Sequence, residues 1–273
     1  MSKKLHGERA IARAFEIALA RKSAALMPYF TLGYPDLEGS VEIIKAIAPH
    51  SDLLELGIPF SDPIADGPTV QRSTQAALEQ GVDTASCLLG VRMLRSAGFD
   101  IPVLLMGYYN PILAYGVEKF VNDAADAGAD GFIVPDLPPE EAYELKRAAE
   151  QRGLAVILFL APTSNRRRIE LVVSEAVGFI YMVSVAGVTG ARSKVNEDLA
   201  QKVTYLQAKS KLPVAVGFGI SAPGQAAEVA SYADGIIVGS ALIDAVDRAS
   251  NKPAAAAEFV RSLESVLLEE NHG

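Results

Sequence analysis

Two carboxylates lie eleven residues apart in the segment 53–68, which reads LLELGIPFSDPIADGP. Glu55 interrupts an otherwise apolar run, and Asp66 follows in a loop rich in proline and glycine. Burying a carboxylate costs free energy unless it is paired or neutralised, so a chain that keeps one there can use its raised pKa for proton transfer. We therefore interpret Glu55 as a catalytic acid and base; the alternative is a hydrogen-bonded carboxylate of the core.

The two carboxylates are expected to differ in ionisation. Leu54, Leu56 and Ile58 flank Glu55, which should raise its pKa toward the roughly 6–7 that suits proton transfer near neutrality. Asp66 lies in a polar loop and should stay ionised. Environments that separate two carboxyl pKa values provide one proton shuttle and one fixed anion.

Other catalytic groups are scarce in the chain. His6 and His272 lie near the termini and His50 ends a helical segment, so a histidine base or a histidine metal site is not expected. No lysine lies inside a predicted strand, with Lys194 in a loop the nearest, and no serine nucleophile elbow is present. The single cysteine, Cys87, excludes an internal disulfide and is interpreted as a packing residue. We expect carboxylate chemistry with no metal and no cofactor in this chain.

Eight short aliphatic runs must position these carboxylates. They lack polar alternation, which predicts strands buried on both faces, as in a parallel sheet covered by helices. The predicted strands are 24–31, 52–57, 102–106, 131–134, 154–160, 178–183, 213–218 and 235–239. The predicted helices are 8–22, 40–48, 84–97, 116–127, 139–152, 165–175, 196–209 and 222–232.

This alternation predicts the α/β class and a single TIM-barrel domain, (β/α)8, over residues 1–273. The competing architecture is an open doubly wound sheet, but no glycine-rich fingerprint follows the first strand. Helix 8–22 precedes the first strand and is expected to cover the bottom of the barrel. The strings ADGFIV at 129–134 and ADGIIV at 233–238 form a weak internal repeat of helix end, turn and strand.

The composition excludes several classes of protein. A net charge of -8 and a pI near 5.0 disfavour a nucleic-acid or anionic-membrane surface, which would need a basic face. No apolar run approaches the roughly 20 residues that span a bilayer, and charged residues interrupt the first helix where a signal peptide would be apolar. We expect a soluble, cytoplasmic protein, or an organelle stromal one if a transit peptide has been removed.

In such a barrel the active site forms at the carboxyl ends of the strands. Besides the two carboxylates, the side chains expected there are Tyr108, Tyr109, Asp136 and Tyr181. For Asp136 alone turn formation is the favoured explanation, and Tyr181 is also explained by core packing with a solvated hydroxyl. Glycine-rich segments, 186–192, 216–221 and 238–240, follow strands six to eight. This order is typical of a barrel phosphate site built from backbone N–H groups.

Together these motifs closely resemble the tryptophan synthase alpha subunit family. The ELGIPFSDPIADGP string is the most specific, while the other pieces would suit many phosphate-binding barrels. The matching segments, which span nearly the whole chain, are 28–33, 53–68, 181–190, 217–221 and 239–240.

The resemblance implies a lyase of L-tryptophan biosynthesis that cleaves indole-3-glycerol phosphate by a retro-aldol reaction to indole and glyceraldehyde 3-phosphate. It implies that Glu55 handles the protons at indole C3 and at the adjacent hydroxyl, and that Asp66 accepts the indole N–H. It further implies that Tyr181 lies beside Glu55 and that Phe218 forms a wall of the indole pocket. The residues expected to contact the substrate are Tyr29, Tyr108, Tyr181, Thr189, Gly190, Phe218, Gly219, Gly239 and Ser240.

The family works as an alpha2-beta2 heterotetramer, so the resemblance implies a beta-subunit partner that carries pyridoxal phosphate, with no cofactor in this chain. It implies an interface at Asp62, Pro63, Asn110, Asp136 and Pro138, which favours a functional role for Asp136.

Two positions depart from the family pattern. Tyr29 stands where the family often has phenylalanine, and Val185 lies at a loop position that varies and can be basic. Three alternatives remain at this stage: a stand-alone indole-3-glycerol phosphate lyase, a non-catalytic barrel that only binds and activates a beta subunit, and a phosphosugar isomerase barrel.

Overall fold

The computed structural model describes residues 5–183, 192–217 and 219–269. Within these residues eight parallel strands close into a barrel in chain order, as the sequence predicts. Each observed strand lies inside the predicted run. The strands are β1 Ala25–Thr31, β2 Leu54–Gly57, β3 Val103–Met106, β4 Gly131–Ile133, β5 Ala155–Leu160, β6 Ile180–Val183, β7 Val214–Gly217 and β8 Gly235–Val238.

Twelve α-helices lie in the same described residues. They are α1 Glu8–Ala20, α2 Leu37–Ile47, α3 Pro68–Glu79, α4 Thr84–Ser96, α5 Tyr109–Tyr115, α6 Val117–Ala127, α7 Tyr143–Gln151, α8 Arg166–Glu175, α9 Arg192–Lys209, α10 Pro223–Ala230, α11 Ser240–Asp247 and α12 Lys252–Glu269. Short 3-10 turns form at Ala48–His50 and Pro139–Glu141. The sequence predicts all except α3, α5, α11 and α12, and the predicted helix 139–152 is a 3-10 turn followed by α7. In the described residues no helix is long and apolar enough to cross a membrane.

Helix α1 packs across the amino-terminal ends of the strands, which confirms its predicted place at the bottom of the barrel. Its Phe15 ring lies 5.4 Å from the Phe179 ring, which precedes β6. The backbone N–H of Gly7, just before the helix, donates to Asp130 Oδ1 at 2.7 Å. These contacts join the extra helix to the core and leave the opposite end of the barrel open.

Three aspartates close the bottom of the barrel in the same way. Asp52, Asp130 and Asp234 precede β2, β4 and β8, and each uses its backbone N–H and its carboxylate to bind one residue of the preceding strand. The carboxylates accept the backbone N–H groups of Leu26 at 2.9 Å, Val103 at 2.9 Å and Val214 at 2.8 Å. In return, the backbone N–H of each aspartate donates to the backbone carbonyl of the same strand residue. We call these three pairs the aspartate clasps. Two of them contain the aspartate of the repeated Ala-Asp-Gly string, so the repeat reflects a structural unit of the barrel.

The register of the strands brings Glu55 to the mouth. Glu55 on β2 is paired with Tyr29 on β1 and with Leu104 on β3. All residues of β1 and β2 are buried, because each strand faces helices on one side and the barrel interior on the other. A glutamate in this position has no route to bulk water except through the cavity at the carboxyl ends of the strands.

Candidate active site

A cavity of about 360 Å³ opens at the carboxyl ends of the strands. Residues from β1, β2, β6 and β8 and from the loops after β2, β7 and β8 line it. The structure brings together there the following predicted residues: Tyr29, Glu55, Asp66, Tyr181, Gly219, Gly239 and Ser240. The predicted residues Thr189, Gly190 and Phe218, and the variable position Val185, lie outside the described residues.

Glu55 is a buried acid with an unusual hydrogen-bond environment. It is 2% exposed, and its Oε2 has no hydrogen-bond partner among the described residues. Burial, and secondarily the charge of Asp66, raise the pKa of Glu55 to about 8. The direction agrees with the sequence prediction, and the value is higher than predicted because burial is nearly complete and Oε2 has no donor among the described residues. At neutral pH Glu55 therefore carries a proton that it can give to a substrate.

Asp66 is more buried than its polar loop suggested. Burial raises its pKa to about 6, and the hydrogen bond from Tyr108 opposes that rise. Asp66 is nevertheless mainly ionised at neutral pH, as the sequence predicts, although the loop places it partly out of solvent beside the cavity. The order of the two pKa values is still the predicted one. Near pH 7 Glu55 is mainly protonated and Asp66 is mainly a carboxylate, so the pair combines an acid with an anion.

Tyr108 positions the Asp66 loop. Its hydroxyl donates to Asp66 Oδ2 at 3.1 Å and accepts the backbone N–H of Ala65 at 2.9 Å. Its ring lies 5.4 Å from the Phe60 ring at the start of the same loop. Tyr108 follows β3 in the chain, so these contacts connect the Asp66 loop to the neighbouring strand.

The two tyrosines of the cavity wall each need a glycine on the next strand. A β-carbon built on Gly57 would lie 2.1 Å from the Tyr29 hydroxyl, and one built on Gly217 would lie 2.3 Å from the Tyr181 hydroxyl. The Tyr181 ring also packs against the Phe159 ring at 4.7 Å. Sequence reasoning did not assign a role to Gly57. Gly57 lies at the carboxyl end of its strand, next to a strand that carries a tyrosine. This placement is the sequence feature that could have indicated its role.

The predicted phosphate site lines the same cavity as Glu55. Ser240 begins α11 directly after Gly239, so the unpaired N–H groups of the first helical turn are at the cavity wall. Gly219 adopts a positive φ of 80°, a conformation that glycine reaches without strain. A β-carbon on Gly239 would lie 3.0 Å from Tyr29 Cδ1. This arrangement suits an anionic group held by backbone.

Four of the five residues predicted at a partner interface lie on loops after β2 and β4, and Asn110 lies in the first turn of α5, after β3. Asp136 is exposed, and its carboxylate accepts the N–H of Tyr109 at 3.0 Å, which caps α5 from the neighbouring loop. Asp62, Pro63, Asn110 and Pro138 are exposed or partly exposed. Large apolar side chains are exposed nearby: Ile64 is 84% exposed, Tyr143 75% and Leu113 51%. We call these three side chains the apolar rim.

The fold and the site together define a (β/α)8-barrel protein equipped for acid–base chemistry by two carboxylates beside an anion site. Residues 15–270 match the family model of the tryptophan synthase alpha chain. The chain belongs to the tryptophan synthase alpha chain family.

Individual relatives match this chain over most of their length. The tryptophan synthase alpha chain of Chloroflexus aggregans is 50% identical over 244 residues, which cover 88% of this chain and 91% of the relative. The tryptophan synthase alpha chain of Chloroflexus aurantiacus is 46% identical over 260 residues, which cover 94% of this chain and 98% of the relative. Among solved structures, tryptophan synthase subunit alpha from Legionella pneumophila superposes with a TM-score of 0.88 at 38% identity, covering 94% and 98%. A chain of tryptophan synthase from M. tuberculosis in its aminoacrylate-bound form superposes with a TM-score of 0.86 at 36% sequence identity. The match covers 94% of this chain and 99% of that chain.

Proposed function

We propose that this chain cleaves indole-3-glycerol phosphate to indole and glyceraldehyde 3-phosphate, as the alpha subunit of a tryptophan synthase. The observation that carries the proposal is the protonated, buried Glu55 facing the same cavity as the ionised Asp66. Membership of the family supports the choice of substrate.

The reaction needs one proton delivered and one removed. Glu55 gives its proton to indole C3, which makes the ring an indoleninium cation. The bond from C3 to the side chain then breaks, its electrons return to the ring, and the adjacent hydroxyl becomes the aldehyde as its proton passes to Glu55. The acid is thereby regenerated and no water is consumed. A pKa near neutrality serves both proton transfers.

Asp66 stabilises the charge that this sequence creates. The indole N–H becomes more acidic when C3 is protonated, and a carboxylate that accepts it offsets the positive charge in a site largely withdrawn from water. The Tyr108 hydrogen bond keeps Asp66 in place and keeps its pKa from rising further. Without that anion the cation would form in an apolar cavity at a much higher free energy.

The phosphate group anchors the other end of the substrate. Gly219, Gly239 and the first turn of α11 from Ser240 offer backbone N–H groups, which bind a dianion without requiring a basic chain. Tyr29 and Tyr181 then form walls beside the reacting carbons. Anchoring by a group remote from the reacting bond reduces the entropy cost of alignment.

The partner that we propose is a beta subunit, which would hold the pyridoxal phosphate and receive the indole. Its docking site would comprise Asp62, Pro63, Asn110, Asp136 and Pro138, together with the apolar rim. Exposed apolar groups clustered beside an active-site mouth are typical of a protein interface.

The test is indole formation from indole-3-glycerol phosphate by the purified chain, alone and after addition of a tryptophan synthase beta subunit. We expect slow turnover that rises on adding beta. Fast turnover by the chain alone, unchanged by beta, would indicate a free-standing lyase. Absence of turnover in both conditions, with folding confirmed by circular dichroism, would refute the proposed reaction.

A further inference from the structure

The cavity is lined by acidic side chains although its proposed substrate is an anion. Glu55, Asp66 and Asp244 contribute carboxyl groups to the lining. Among the described residues that line the cavity, none is a lysine, an arginine or a histidine. An uncompensated carboxylate beside a phosphate dianion weakens binding, because like charges repel and a site partly withdrawn from water screens them poorly. The side chains that contact these carboxyl groups therefore decide how much negative charge the cavity presents.

Asp244 belongs to the same helix as the proposed phosphate site. It lies four positions after Ser240 in α11, so the two side chains are neighbours on one face of the helix. Both residues line the cavity. A carboxylate in this place repels a bound phosphate and competes with it for the positive end of the helix dipole. An unpaired Asp244 would therefore weaken the phosphate site.

Arg72 of α3 is a cation bound to Asp244. Its Nη2 donates to Asp244 Oδ1 at 3.2 Å and to Asp247 Oδ2, further along α11, at 2.6 Å. The Thr69 hydroxyl, also on α3, donates to Asp244 Oδ1 at 3.2 Å, and the Tyr34 hydroxyl, from the loop after β1, donates to Asp247 Oδ1. Because a guanidinium stays protonated in proteins, Arg72 holds a permanent positive charge against both carboxylates.

We propose that Arg72 is a positioning residue for the phosphate group of the substrate. By pairing with Asp244 it holds that carboxylate against α3 and offsets its charge, so that the first turn of α11 can bind the dianion. The inference deepens the proposed function and rests on it for the identity of the anion. Helix α3, which begins two residues after Asp66, packs against α11. One charged cluster thus joins the helix that follows the catalytic carboxylate to the helix that holds the phosphate.

The exposure of the Arg72–Asp244 pair allows a test in a folded chain. The Arg72 side chain is 53% exposed and that of Asp244 37%, and exposed ion pairs contribute little to the free energy of unfolding. Arg72→Gln should therefore fold, as circular dichroism can verify, while it leaves Asp244 without its cation beside the cavity. If the pair served only to join α3 to α11, the variant would bind the anion as the parent does.

The experiment measures the Kd of glycerol 3-phosphate, which carries the phosphate end of the proposed substrate, by phosphorus-31 NMR titration. We expect Arg72→Gln to raise the Kd by about three- to tenfold at low ionic strength. The ratio of the two Kd values should shrink in about 0.5 M NaCl, where charges are screened. Arg72→Lys keeps the charge and should stay within about twofold of the parent. Arg13→Gln, which removes a paired arginine from α1 at the opposite end of the barrel, is the control and should keep the Kd of the parent.

A double variant separates charge compensation from the joining of the helices. Asp244→Asn removes the repelling charge, so Arg72→Gln with Asp244→Asn should recover the Kd of the parent although the ion pair between α3 and α11 is still absent. An unchanged Kd in folded Arg72→Gln, or a loss of affinity that the double variant does not recover, would overturn the inference alone. Failure of the parent to bind glycerol 3-phosphate would instead refute the phosphate site, and with it both the proposed substrate and this role of Arg72.

Discussion

Glu55 combines nearly complete burial with the absence of a donor to Oε2 among the described residues. Its pKa rises from 4.5 to about 8 for that reason, with Asp66 adding to the effect. Hydrogen bonding would have reduced the shift. Chemically the residue is useful because its environment makes the charged form unfavourable.

This has a consequence for stability. Between pH 4.5 and about 8 the folded chain holds a proton on Glu55 that the unfolded chain releases. The unfolded state binds fewer protons there, so the free energy of unfolding falls as pH rises through this window. Glu55→Gln removes that titration. We expect the variant to lose less stability with pH, and above the window to exceed the parent by on the order of 4 kcal/mol.

Urea unfolding at pH 5, 7 and 8.5 measures this effect. Glu258→Gln, at an exposed position of α12, is the matched control and should follow the parent at all three pH values. Parallel pH dependence of the parent and Glu55→Gln would show that Glu55 is not a neutral buried acid.

Tyr108 tests the other carboxylate. Tyr108→Phe removes the hydrogen bond that lowers the pKa of Asp66, so that pKa should rise above about 6. The acid limb of kcat/KM for indole formation should move to higher pH, and kcat should fall by about tenfold as the loop loses its anchor. Tyr205→Phe, the same chemical change on a side chain of α9 that is 43% exposed, should leave the profile in place. An unshifted acid limb in folded Tyr108→Phe would argue against this role.

At the scale of elements, the barrel is held at its bottom by the aspartate clasps. Asp130 accepts from Val103, Gly7 and Arg95 Nη2 and is 1% exposed. Its truncation would leave the N–H groups of Val103 and Gly7 without this acceptor and the Arg95 guanidinium without its anionic partner. We expect Asp130→Ala to lower the free energy of unfolding by about 3 kcal/mol.

The control for this change is Asp126→Ala. Asp126 lies near the end of α6 and pairs with Arg152 at an exposed position, so its loss should cost less than about 1 kcal/mol. Chemical denaturation of the two variants side by side decides the point. Equal losses would mean that the clasp adds nothing beyond a surface ion pair.

The elements also show which parts of the fold the sequence can predict. The eight strands are evident because each is a short apolar run bounded by polar or turn residues. A strand buried on both faces has apolar residues at successive positions, without polar alternation. Helix α5 has seven residues and a cap supplied by Asp136 from another loop, so no local periodicity marks it. The Arg72–Asp244 contact joins residues 172 positions apart, and its existence depends on the packing of α3 against α11.

In the site, too, local sequence predicts some features, while others depend on tertiary packing. Residue types and order along the chain identify Glu55, Asp66 and the glycine-rich loops after the late strands, because barrel topology dictates where strand ends meet. The partial burial of Asp66 could not be predicted, since a loop's composition does not reveal that it lies against a cavity. The need for Gly57 was missed because it arises from the position of the Tyr29 hydroxyl.

At the scale of the whole molecule, apolar side chains are exposed at both ends of the barrel, and the proposed partner would bind at the mouth. The apolar rim surrounds the side of the active-site mouth where the proposed beta subunit would dock. Ile64→Glu should weaken association with a beta subunit by at least tenfold, because a charge replaces an apolar side chain that the interface would desolvate. Leu19→Glu, a similar change on a side chain 75% exposed on α1 at the opposite end, should have no effect.

Isothermal titration calorimetry with a purified beta subunit measures both affinities. If both variants weakened binding to the beta subunit equally, or if neither weakened it, the interface would lie elsewhere.

In the proposed reaction Glu55 moves both protons of carbon–carbon bond cleavage. The most direct measurement of this role is indole release from indole-3-glycerol phosphate by Glu55→Gln beside the parent. The assay is performed with saturating beta subunit, and folding is verified by circular dichroism. We expect kcat to fall by at least about a thousandfold, since a glutamine can neither give nor take the proton. Near-normal turnover by folded Glu55→Gln would contradict the account.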